Sequence, residues 1–177
     1  MPARAGVLII GVGNHSRGDD AAGLVVARLV RDRLGGADGV SVLDCDGDAA
    51  GLIDLWTEAS VVIVADAVRS GSEPGRVHRI DACARSFPPA LRGTSTHAFG
   101  IGDAIELARS LGRLPPRLIL YGIEAASFAL GTSPSPAVAS AAASVAGRIV
   151  REIDRVRAVP TRRPMGAPPR DRCSQKG

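Results

Sequence analysis

Four aliphatic residues, Val7-Leu8-Ile9-Ile10, lead into the glycine-rich turn GVGNHSRGDDAAG, residues 11–23, and that passage limits what the chain can fold into. Most of the run is β-branched and glycine flanks it, so it reads as a buried strand. After the turn, Leu24, Val25, Val26, Leu29, Val30 and Leu34 recur at helical spacing, with Arg28, Arg31, Asp32 and Arg33 between them. That is an amphipathic helix. Strand, glycine turn and helix are the opening of a doubly wound α/β fold.

The content of the turn narrows the chemistry. Gly11 and Gly13 begin a G-x-G-x-x-G pattern, but its last position is Ser16. Asp19 and Asp20 stand where a pyrophosphate would need backbone N–H groups and positive potential. Two carboxylates there repel phosphate, so a nucleotide is not expected. A carboxylate at the carboxyl end of a strand suits a cation better.

The same alternation continues along the chain. Residues 40–43 read as a second strand, ending in the acidic loop Asp44-Cys45-Asp46-Gly47-Asp48. A calcium loop is excluded there, because Leu55 stands where the bidentate glutamate belongs. A short helix is expected over residues 50–58. Residues 61–65, Val-Val-Ile-Val-Ala, form the most hydrophobic strand, expected at the centre of the sheet and ending at Asp66. Residues 76–81 read as a weaker strand. The gap before it is too short for a parallel crossover, so it should run antiparallel at an edge. A helix is expected over 99–111, a strand over 118–123, a loop over 124–136 and a last helix over 137–156. That helix carries Val138, Ala142, Val145, Ile149, Ile153 and Val156 on one face.

Length and composition set the outer bounds. A chain of 177 residues makes one domain with a real core. The net charge of +4 is uneven: from Arg157 onward there are six basic residues and one acid, which leaves the first 156 residues at about −1. No basic face for nucleic acid is implied on the folded part. The expected division is a domain over 1–157 and a basic, disordered tail over 158–177. Cys45, Cys83 and Cys173 are far apart, without a C-x-x-C pair, which opposes a disulfide framework or a cysteine-type zinc site. No apolar stretch reaches signal-peptide or membrane-spanning length, so a cytoplasmic protein without a membrane partner is expected. The apolar stripes look used up by one core, which points to a monomer.

Three residues remote in sequence could meet at the carboxyl edge of the sheet. Asp20 follows strand one, Asp66 follows strand three, and His97 lies in Ser95-Thr96-His97-Ala98-Phe99-Gly100 just before a helix. In doubly wound sheets strands one and three are commonly neighbours. Two carboxylates and an imidazole suit a divalent transition metal and leave positions open for substrate. Plainer readings compete. Asp19 and Asp20 each fit a helix N-cap, with Asp19 the stronger fit. Asp66 fits a turn, and His97 fits a cap or core position. His15 is a possible additional ligand set against a solvent-exposed reading, and His78 reads as a surface residue. Cys45 and Cys83 read as small buried hydrophobes.

Four segments together, LIIGVGNHSRGDDAAG, VIVADAVRSGSEPG, STHAFGIGDAIELA and LYGIEAASFALGTSPSPAV, resemble the landmarks of the hydrogenase maturation proteases, in that family's order and spacing. The resemblance spans residues 7–156. It implies a three-layer α/β/α fold with a mostly parallel five-stranded sheet. It also implies an endopeptidase that removes a C-terminal extension from the large-subunit precursor of nickel–iron hydrogenase after nickel insertion. The family's metal-contacting residues fall on Asp20, Asp66 and His97, exposed in a crevice, and the nickel belongs to the substrate. Asp20 and Asp66 are then the candidate general bases. His15 stands where the family usually has a hydrophobic residue. The loop after strand two is richer in aspartate than usual, which places Asp46 as a residue lining the site. The alternative is a metal-sensing binding protein or chaperone that docks on the precursor without cutting it.

Overall fold

The computed structural model describes residues 5–46, 49–56, 59–84, 88 and 100–158. In chain order these form β1 (Ala5–Val12), a 3-10 turn (Gly18–Ala21), α1 (Ala22–Leu34), β2 (Val40–Cys45), α2 (Ala49–Trp56), β3 (Ala59–Val68), β4 (Val77–Asp81), α3 (Ile101–Ser110), β5 (Arg117–Glu124) and α4 (Pro136–Ala158). The expected tail lies outside the described residues apart from Ala158, which ends α4.

One five-stranded sheet runs in the order β2-β1-β3-β5-β4. All neighbours are parallel except β4 and β5. The eight residues between β3 and β4 hold no helix, so the chain turns back and β4 closes the sheet as an antiparallel edge. β3 takes the middle place because it can be buried on both faces, and from Val62 to Val68 every residue is buried.

Alternation along the strands sorts the core into two halves. On one face Leu8, Ile10, Val12, Val62, Val64, Leu118 and Leu120 pack against Leu52, Ile53 and Trp56 of α2 and Ile101, Ile105 and Ala108 of α3. On the other, Ile9, Ile63, Ala65, Ile119, Tyr121 and Ile123 meet Val26 and Val30 of α1 and Val138, Val145, Ile149 and Ile153 of α4. This is the expected three-layer α/β/α arrangement. The stripe read on the last helix is the buried face of α4, where each fully buried aliphatic side chain contributes roughly 1.5–3 kcal/mol.

Glycines let the first turn lie directly on the sheet. A Cβ on Gly13 would sit 1.9 Å from the Asp20 carbonyl oxygen, and one on Gly23 would sit 2.2 Å from that of Ala65 in β3. These residues serve close backbone approach, and the missing glycine at position 16 is no defect in that role.

Several local expectations change. Asp66 lies inside β3, two residues before its end, and Glu124 belongs to β5 instead of the following loop. His78 is half-buried, with its Nε2 3.4 Å from the Glu124 carboxylate. Cys45 and Cys83 are free thiols, also half-buried. Burial pushes the Cys83 thiol up from its ordinary range, and its Sγ donates to the Pro115 carbonyl at 3.3 Å.

Candidate active site

The carboxyl ends of β1, β3 and β5 share one edge of the sheet, and Asp20 and Asp66 lie toward it. Val12 ends β1, and the chain folds through Gly13 into the 3-10 turn that holds Asp19 and Asp20. That turn packs directly on β3. Asp66 stands in β3 opposite Gly122 of β5. Its neighbours in the alternation, Val64 and Val68, belong to the core half under α2 and α3, so Asp66 projects toward that layer.

Asp20 is 1% exposed and Asp66 is fully buried. The expectation of ligands exposed in an open crevice is therefore corrected. The physical reason is placement: Asp66 is a strand residue inside the sheet, and Asp20 is folded down onto that sheet by the glycine turn. Two ionisable groups held out of water on adjoining elements are costly, and such costs concentrate at functional sites.

His97 lies outside the described residues. The helix that follows it is placed, however. The Arg109 guanidinium, at the C-terminal end of α3, donates to the Ala82 carbonyl. Ala82 in turn donates to Leu118 at the start of β5. With its C-terminus fixed at that end of β5, α3 starts about 15 Å away. Ile101 in its first turn packs in the core half to which Asp66 projects.

His15 and Asp46 are brought together. Both are exposed, and with Gly13, Leu24, Asp44 and Cys45 they line an open hollow of about 430 Å³ beside the turn. Asp44 in that hollow is paired with Arg31 at 3.0 Å.

Asp19 is not the N-cap that its position suggested. Arg17 occupies the cap of the 3-10 turn and Ala21 that of α1, neither with a side-chain cap bond, so the N-cap reading of Asp20 falls as well. The Asp19 carboxylate, 1% exposed, turns to the loop between β5 and α4. It accepts hydrogen bonds from the N–H groups of Ala126 at 2.7 Å and Ser127 at 3.0 Å, and from both the N–H and the hydroxyl of Ser135. Two backbone bonds return, Asp19 N–H to Ser127 and Gly18 N–H to Thr132, and from the loop Gly131 N–H donates to Ser16. Burial alone would raise the Asp19 pKa. The donated hydrogen bonds from Ser135, Ser127 and Ala126 outweigh it and hold the carboxyl below its usual range. Gly18 permits the approach, since it adopts a left-handed φ of 56° with Thr132 Oγ1 only 2.6 Å from where a Cβ would sit.

Sequence reasoning also missed Glu124. It is 1% exposed and accepts hydrogen bonds from Ser70 N–H at 2.8 Å, Gly71 N–H at 2.9 Å and Ser70 Oγ at 2.7 Å. It thereby pins the loop that leaves β3 just after Asp66. The sequence marks Glu124 only as a carboxylate after an apolar run, which says nothing of its backbone partners.

Comparison with known proteins bears on this arrangement. The family model HycI, hydrogenase maturation protease, matches residues 25–152, a span that contains Asp66 and His97 and begins after Asp20. The chain belongs to the hydrogenase maturation protease family. The hydrogenase expression/formation protein HupD of Bradyrhizobium diazoefficiens is 32% identical over 119 residues, 67% of this chain and 62% of that protein. This chain thus spans less than two thirds of that relative's length. Among solved structures, an endopeptidase of Escherichia coli has 26% identity and a TM-score of 0.68, over 86% of this chain and 94% of its own. The NiFe hydrogenase maturation protease HybD of Thermococcus kodakarensis has 26% identity and a TM-score of 0.65, over 84% and 98%. The fold implied by the sequence resemblance, a mostly parallel five-stranded sheet with one antiparallel strand, is the maturation-protease fold of these structures.

Proposed function

We propose that this chain is an endopeptidase that removes the C-terminal extension of a nickel–iron hydrogenase large-subunit precursor, and that it does so by reading nickel already held in that precursor. Family membership supports the reaction class. The observation that carries the residue assignment is the pair of buried carboxylates, Asp20 and Asp66, on a turn and a strand packed against each other at the carboxyl edge. Open α/β sheets bind ligands at that edge.

In this reading Asp20, Asp66 and His97 complete the coordination of the substrate's metal. A set of three ligands is poor at storing a free ion and well suited to meeting one that another protein already holds. Nickel held there by the precursor would supply a Lewis acid beside the scissile peptide. Asp20 or Asp66 takes a proton from the attacking water as general base, and that proton passes to the leaving amine. Both carboxylates are closed to solvent, so docking of the precursor must open the crevice.

The test is incubation of nickel-loaded and nickel-free precursor with wild type, Asp20→Ala, Asp66→Ala and His97→Ala, followed by intact-mass analysis of the C-terminus. Shortening of the loaded precursor by wild type alone is expected. Binding without shortening would favour a non-cleaving chaperone, and shortening by all three variants would remove these residues from the reaction.

A further inference from the structure

Arg17 is a charged side chain on the turn that carries Asp20, and the cleavage chemistry described above gives it no task. It is half-buried, and its Nε is closed to water without a hydrogen-bond partner. The guanidinium makes no ion pair among the described residues. Asp19, two residues on, does not take it up, because that carboxylate is turned to Ala126, Ser127 and Ser135. Buried polar groups are nearly always bonded, and one left without an acceptor costs stability. Departures of that kind concentrate where a protein meets its substrate.

The place of Arg17 in the turn gives the orphaned donor its meaning. Arg17 is the N-cap of the 3-10 turn and Asp20 is the third residue in it, with Asp20 N–H donating to the Arg17 carbonyl at 3.1 Å. The N-cap and third positions present their side chains to the same side of a turn, which is why a capping box closes between them. Arg17 and Asp20 therefore share that side. Capping does not account for the arginine. A cap needs an acceptor side chain, and Arg17 makes no side-chain cap bond. The turn runs straight into α1, and the amino end of a helix disfavours a cation. The backbone beneath the side chain is fixed on both sides, by Arg17 N–H to Asn14 at 3.2 Å and Gly18 N–H to Thr132 at 3.1 Å.

We infer that the Arg17 guanidinium donates to the carbonyl oxygen of the scissile peptide, touching the substrate beside Asp20. This rests on the endopeptidase reading above and adds a catalytic group to it. When water adds to the carbonyl carbon, its proton goes to the general base and the C=O electron pair moves onto oxygen. A guanidinium already held in place meets that negative charge. The pair returns as the C–N bond breaks, and the leaving amine takes the proton. The acceptor missing in the free protein is thus supplied by the substrate.

The experiment measures kcat and KM on nickel-loaded precursor for wild type, Arg17→Met and Arg17→Lys, with the melting temperature of each. Arg17→Met keeps the apolar stem and removes the donors. Its kcat should fall about a hundredfold while KM stays within about threefold, as for a contact made in the transition state. Arg17→Lys keeps the charge without the planar fork and should recover part of the rate. Because Nε is unbonded in the free protein, Arg17→Met should melt no lower than wild type, whereas loss of a structural arginine would lower it. A wild-type kcat in Arg17→Met, a rise in KM at constant kcat, or melting several degrees below wild type would each overturn the assignment. A wild type that does not cut the loaded precursor would overturn the endopeptidase reading, and this role with it.

Discussion

Asp19 and Ser135 stand 116 residues apart in the chain, and both the backbone N–H and the hydroxyl of Ser135 donate to the Asp19 carboxylate. Through this contact the turn beside Asp20 and the segment before α4 become one unit. Asp19→Ala leaves the N–H groups of Ala126, Ser127 and Ser135 without their acceptor. We expect a loss of about 2–4 kcal/mol in urea unfolding. Asp19→Asn, which keeps one acceptor oxygen, should lose less.

The same carboxylate sets a pH dependence. Its pKa is lower in the folded protein than the ordinary value of 3.8. The stability it contributes is therefore complete above that ordinary value and is lost as pH falls from there through the folded pKa. Wild type should lose stability more steeply than Asp19→Asn below about pH 4. Urea midpoints taken from pH 6 down to pH 3 check this, and parallel curves would contradict it.

Glu124 makes a comparable tie at the other arm. Glu124→Ala removes the acceptor for Ser70 and Gly71 from a buried position, at a cost of roughly 2–3 kcal/mol. Because the loop after β3 loses its anchor, limited proteolysis should cut within residues 69–76 in this variant and spare wild type. Glu124→Gln, with one oxygen retained, should fall between them.

The glycine turn makes a sharper prediction. Gly13→Ala would place a methyl carbon 1.9 Å from the Asp20 carbonyl, which β1 and the turn cannot absorb without moving apart. A loss above about 3 kcal/mol, or failure to accumulate folded protein, is expected. Gly36→Ala is the control. Its φ of 84° also strains an alanine, but nothing lies within 4 Å of the added carbon, so the loss should stay near 1 kcal/mol. Thermal unfolding of the two variants compares close approach with backbone strain.

What the sequence disclosed, and what it hid, follows from where each signal resides. Residues 61–65 form an unbroken aliphatic run, so the central place of β3 is written in its composition. The short gap before Val77 could hold no crossover helix, so β4 had to turn back. The stripe from Val138 to Val156 carries its own period. Asp66 and Asp20 stood out because a carboxylate at the end of an apolar strand is unusual. Asp19 and Glu124 were missed in their roles because their partners are mainly backbone N–H groups. Every residue but proline has one, so no pattern of side chains marks them. Nor could spacing reveal that Asp20 and Asp66 are shut away from water, since burial depends on how the turn folds back over the sheet.

Nickel K-edge X-ray absorption on the nickel-loaded precursor, freeze-quenched after mixing with the protease, reads the central claim at the metal itself. The account predicts that wild type adds oxygen or nitrogen scatterers at about 2 Å to the nickel shell, and that Asp20→Ala and Asp66→Ala each reduce this gain. A nickel spectrum unchanged by a wild-type enzyme that binds the precursor would contradict it.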